Sequence, residues 1–273
     1  MKKTNQLFAT IVVLLLFCAT TLQAQEKKEV KYITVTESHW DMDKEDFKMS
    51  EWKVAEKEYL EKVTMKNEYI MSASTYLHNL TPDNTEIVSS FSYASWEDIE
   101  KQAERSIELE KEAWPDEDER KAFLKNLNSY YSNEHSDEIY MPLSGFKFLA
   151  EKPTKDMVVY ARKSHFAFPE NGTMKEFQSL RLEGNEGITQ KNDYIKGYSA
   201  YVHAWGADKT EYLEVYFLDS LSDLENMFDR DDELFTEAFP ENDENKAKVK
   251  TWSSYFTGVH GDYVYTFIHD LVK

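Results

Sequence analysis

From Val30 to Ser38 the chain alternates, with Ile33 and Val35 on one side and Thr34 and Thr36 on the other, which predicts a half-buried strand. The period then changes. Trp52, Ala55, Tyr59, Leu60 and Val63 recur at helical spacing between Phe47 and Val63. Strands are predicted again over Tyr69–His78 and Ile87–Tyr93, separated by the turn residues Pro82, Asp83 and Asn84. Ser95, with Asp98 three residues on, reads as a helix N-cap. Ile99, Ala103 and Ile107 continue that helix until Pro115 breaks it. A further helix carries Phe123, Leu124, Leu127 and Tyr130, and Ile139–Leu143 closes the series as a strand. The predicted order is β-α-β-β-α-α-β.

The same order then runs a second time. A shift of 125 residues lays positions 49–140 over 174–265 without a gap, and 34 of the 92 pairs are identical. Met157–Ser164, Tyr194–His203, Tyr212–Leu218 and Val264–Ile268 repeat the strands, and Met174–Ile188 repeats the first helix. Ser220 and Asp223 repeat the cap, and Pro240 falls under Pro115. A repeat of this kind sets the architecture before any single element does. Residues 30–144 and 157–271 are expected as two like domains joined by a linker at 145–156. Each would be a ferredoxin-like split βαβ unit, an antiparallel sheet with helices on one face only. Packing the two bare sheet faces together would give an α+β pseudo-dimeric barrel within one chain.

On that strand–helix succession, and on the paired segments Asn67–His78 and Asn192–His203, the chain resembles the dimeric α+β barrel superfamily. The resemblance covers nearly everything after the first 24 residues. It implies a fold rather than an activity, because the superfamily includes haem-degrading and quinone-forming monooxygenases, lactone isomerases, peroxidase-like haem proteins and stress proteins. No catalytic signature of these families stands at a matching position.

Residues 1–24 stand apart from the repeat. Lys2 and Lys3, the apolar run Leu7–Ala19 and the small residue ending Leu22-Gln23-Ala24 have the layout of a secretory signal. The run is too short for a bilayer span, which needs about 20 residues. Cys18, the only cysteine, follows the large Phe17, which argues against lipid attachment. The expected mature chain is secreted or periplasmic, with neither disulfides nor thiolate metal ligands. Without Lys2 and Lys3 it carries 30 basic against 51 acidic residues. Such a surface repels nucleic acid, and a monomer with no nucleic-acid partner and no membrane span is expected.

Six of the seven histidines fall in pairs between the repeats: His39 with His165, His78 with His203, and His135 with His260. Split βαβ topology puts the end of the first strand, the end of the second and the start of the fourth at one rim. Three imidazoles meeting there would be a site for a divalent transition metal with an open position, oriented by Asp137 or Asp262. A single one could serve as a haem axial ligand. Structural histidines at strand ends, bonded to a loop carbonyl, and histidines doing acid–base work are the alternatives. Tyr76 and Tyr201 share strand parity with His78 and His203, so each pair points to one face and suggests an aromatic ligand lining.

Other motifs carry less. Asp41-Met42-Asp43 opens like a calcium loop, but Asp46 and Trp52 stand where glycine and glutamate are required. No G-x-S-x-G or phosphate loop is present. The leading expectation is a small-ligand or metal-binding protein using the rim histidines and an aromatic cleft between sheet and helices. An oxidoreductase or isomerase acting on an aromatic or haem-like compound, and a structural or interaction protein with no site, are the alternatives.

Overall fold

The structure, a computed structural model, describes residues 29–273. The expected leader, residues 1–24, lies outside the described residues. The first half contains β1 (Tyr32–Trp40), α1 (Met49–Lys62), β2 (Ser72–Leu80), β3 (Glu86–Tyr93), α2 (Trp96–Ala113), α3 (Glu117–Asn128) and β4 (Tyr131–Pro142). The second contains β5 (Met157–Phe166), α4 (Met174–Gly184), β6 (Gly197–Trp205), β7 (Glu211–Leu218), α5 (Ser222–Ala238), α6 (Asp243–Ser254) and β8 (Phe256–Val272).

The eight strands close into one antiparallel barrel in the order β1-β3-β2-β8-β5-β7-β6-β4. The fold is therefore mixed α+β around a closed antiparallel barrel. The first half supplies four neighbouring strands, β4-β1-β3-β2, and the second supplies β8-β5-β7-β6. The expectation of two sheets lying face to face needs refinement. Their edges also pair, β2 with β8 and β4 with β6, so backbone hydrogen bonds join the halves and neither sheet keeps a free edge.

Two expected elements were too short. β4 begins at Tyr131 and β8 at Phe256, each eight residues before the predicted start. Their first segments, Ser132–Asp137 and Thr257–Asp262, lack an apolar alternation because they protrude as largely exposed ribbon at the barrel end. Backbone pairing to β1 and β5 carries residues 135–137 and 260–262, and the register shifts across 132–134 and 257–259. The caps also differ. Ser95 Oγ accepts from Asp98 N at 3.1 Å as expected, whereas Ser220 Oγ donates to Asp223 Oδ2 at 2.8 Å and leaves α5 without a side-chain cap.

Buried aromatic residues fasten the helices to the outside of the barrel. Trp52 of α1 is fully buried and meets Trp40 of β1 edge to face, with centroids 4.9 Å apart. In the second half Phe177 of α4 is fully buried, meeting Tyr212 at 5.4 Å and stacked on Trp252 at 5.2 Å. Asn67 and Asn192 lock the turns before β2 and β6. Each is fully buried, accepts from the backbone two residues on, and donates to a helix carbonyl, Gln102 O or Met227 O, at 2.9 Å.

Candidate functional site

Alternating strand direction puts the C-terminal ends of β1, β2, β5 and β6 and the N-terminal ends of β3, β4, β7 and β8 at one end of the barrel. All six paired histidines lie on strands at that end. Strand parity then divides them. His39 is directly opposite Glu86, whereas His135 is opposite Ser38 and so stands on the other side of the sheet. The expected convergence of His39, His78 and His135 fails for this reason, and the same register separates His165 and His203 from His260.

Each imidazole has its own local partner. His39 Nδ1 lies 3.3 Å from Asp83 Oδ2, and His165 Nδ1 lies 3.0 Å from Asp208 Oδ2. His78 Nδ1 is 2.7 Å from Thr81 Oγ1. His203 Nε2 faces Glu138 Oε2 at 3.9 Å, and both atoms are buried without a hydrogen bond. Asp137 and Asp262 each lie beside a histidine two residues away, His135 at 3.4 Å and His260 at 3.2 Å. They also accept from Thr36 and from Tyr160, both at 2.6 Å. Among the described residues no group of three or more His, Cys, Asp or Glu is arranged to hold a metal ion. None of the six histidines lines the barrel cavity or the three clefts of about 320–520 Å³ outside it, so the donor set fits neither a three-histidine metal site nor an enclosed haem.

Tyr76 and Tyr201 do converge, inside the barrel rather than in a cleft between sheet and helices. They line one cavity of about 220 Å³. Ser72, Ser74, Ser90 and Ser92 of β2 and β3 make one wall; Val159, Ala161, Leu213, Val215 and Phe217 of β5 and β7 make the other. Glu37 and Lys163, one from each half, add opposite charges to the lining. Burial, then the nearby Glu86, raise the Glu37 carboxyl above its ordinary range. Burial likewise pushes both tyrosine hydroxyls up, and Tyr76 adds to the rise at Tyr201.

Two tyrosine–carboxylate bonds cross between the halves beside this cavity. Tyr265 OH donates to Glu86 Oε1 at 2.6 Å, and Tyr140 OH donates to Glu211 Oε2 at 2.5 Å. Glu86 is only 3% exposed. Sequence reasoning passed over the two glutamates, although Glu86 and Glu211 are identical residues at the 125-residue offset and open β3 and β7.

Outside the barrel, a cleft lies between sheet and helices in each half. The first, of about 320 Å³, is lined in part by Glu56, Tyr59, Glu110 and Tyr131. The second, of about 330 Å³, is lined in part by Arg181, Asn185, Tyr198, Glu214, Tyr216 and Trp252.

No family model and no curated protein matches the chain. Solved structures do. An anthrone oxidase-like protein is similar at TM-score 0.51 and 11% identity, over 90% of this chain and 94% of that one. A candidate monooxygenase from Lactobacillus acidophilus is similar at 0.51 and 8%, over 89% and 96%. A mutant chlorite dismutase from Candidatus Nitrospira defluvii is similar at 0.51 and 12%, over 89% and 94%. At such identities the likeness is one of fold.

Proposed function

We propose that the chain is a binding protein that holds a small amphipathic molecule, of about one ring, inside the barrel. The observation that carries this reading is the convergence of Tyr76 and Tyr201, from equivalent positions in the two halves, on one cavity of about 220 Å³. An apolar cavity of about 150 Å³ already takes up benzene. This one is larger and has a hydroxyl wall facing an apolar one, which suits a ring with a polar substituent. Titration with phenol and its short 4-alkyl derivatives tests the reading. Saturable binding is expected, together with its loss when Ser90→Phe fills the cavity; absence of binding across the series overturns it.

An oxidoreductase is the second reading, favoured by the monooxygenase and oxidase descriptions of proteins that share the fold. Oxygen uptake with an anthrone or hydroquinone substrate, absent from a Tyr76→Phe/Tyr201→Phe variant, would support it. We further propose that residues 1–24 direct export, which cell fractionation tests. Finally, we propose that residues 30–144 and 157–271 are two ferredoxin-like copies produced by duplication. Support comes from the matching registers of β1–β3 and β5–β7, in which His39 opposes Glu86 and His165 opposes Glu211.

A further inference from the structure

The two clefts between sheet and helices carry different charges. Position 56 of the first half corresponds to position 181 of the second, and the residues are Glu56 and Arg181. Glu56 is satisfied by the protein. Trp52 Nε1 donates to Tyr131 Oη at 2.9 Å, and Tyr131 OH donates to the Glu56 carboxylate. Arg181 is 4% exposed, and only its Nη2 finds an acceptor, the carbonyl oxygen of Ser144. Among the described residues its Nε and Nη1 are buried without a partner, as is Nδ2 of Asn185.

These donors belong together. Arg181 and Asn185 are one helical turn apart and therefore share a face. Asn185 opens a π-helical turn, Asn185–Thr189, a distortion frequent at functional sites. Gln190 Nε2 fixes the amide orientation by donating to Asn185 Oδ1 at 3.1 Å, which leaves Nδ2 as the free end. Both side chains line the second cleft. Three of the four carboxylates there are already engaged, Glu183 by Lys248 Nζ at 2.7 Å. Glu214 accepts from Tyr198 OH at 2.7 Å and Tyr216 OH at 3.2 Å, and Asp231 accepts from Asn192 Nδ2 at 2.8 Å. A buried guanidinium left with unpaired N–H groups is costly, and a planar anion matches its fork.

We propose that the second cleft is a binding site for an organic monocarboxylate, whose carboxylate meets Arg181 and Asn185 and whose apolar or aromatic body lies along Tyr198, Tyr216 and Trp252. A monoanion suits the site better than a phosphate dianion, because Glu183, Glu214, Asp231 and Asp232 share the cleft and the whole chain is acidic. The site is separate from the barrel interior and does not depend on a ligand there.

Calorimetric titration of the folded chain with phenylacetate, 3-phenylpropionate and indole-3-acetate, each beside its primary amide, tests the assignment. At least one acid is expected to bind with its amide about tenfold weaker or more, the worth of a charge-assisted bidentate contact. Arg181→Met should abolish acid binding without lowering the melting temperature of the ligand-free protein, since it removes a buried, under-partnered charge. Ser90→Phe, inside the barrel, should leave acid binding unchanged. If Arg181→Met does not fold, Arg181→Lys carries the test, with acid affinity falling and the amide unaffected. Equal binding of acid and amide, unchanged binding in the Arg181 variants, or no binding by any acid overturns the proposal.

Discussion

Tyr265→Phe removes a single hydroxyl at the seam between the halves, and the structure sets what that costs. The hydroxyl donates to Glu86 Oε1 at 2.6 Å, and Glu86 is 3% exposed, so water has little access to replace the lost donor. A hydrogen bond to a charged group contributes about 1.5–3 kcal/mol, and leaving a buried acceptor short of a donor puts the cost near the upper part of that range, about 2–3 kcal/mol. For a chain of this size that corresponds to roughly 4–12 °C in melting temperature, at about 2–4 °C per kcal/mol. Tyr140→Phe is the internal control. It breaks the equivalent bond to Glu211, which is half-buried, so water can rehydrate the carboxylate and the cost should be about 1 kcal/mol. Urea unfolding at pH 7, followed by tryptophan emission, measures both. A loss below about 0.5 kcal/mol for Tyr265→Phe, or a larger loss for Tyr140→Phe, would refute the argument that burial at this seam sets the strength of the bond.

Phe177→Ala should destabilise by about 3–5 kcal/mol, the cost of emptying a fully buried aromatic site, read by the same urea titration. Gly206→Ala should cost about 2 kcal/mol and Gly258→Ala about 1 kcal/mol, measured as paired melts. Both glycines have positive φ, 142° and 82°, but only at Gly206 would a Cβ meet a neighbour, the buried Glu138 carboxylate. Alkali should unfold the protein from about pH 10 upward. Burial raises Tyr59, Tyr160 and Tyr265, and pushes Tyr93 up to about 12. With folded values above the unfolded one, the stability they contribute is complete below pH 10 and is lost as the pH climbs through the folded values. Circular dichroism alongside phenolate absorbance checks the sign; tyrosines that ionise near pH 10 with the fold intact would refute it.

The sequence by itself determined the local structure and its repetition. Helical spacing at Trp52, Ala55 and Tyr59, alternation at Ile33 and Val35, and the breaks at Pro115 and Pro240 are local signals, and all four appear as helices, strands and helix ends where they were read. Strand parity also gave the shared face of Tyr76 and His78, because a period of two needs no knowledge of partners. Where that face looks was decided only by the tertiary structure. Closure through β2–β8 and β4–β6 turned it into a barrel interior, and the register of β1 against β4 sent His135 to the opposite side from His39. Glu86 and Arg181 escaped notice for a related physical reason. A charged residue reads as solvent-facing until the fold removes its water, and which donors or acceptors then remain unpaired depends on contacts between segments far apart in the chain.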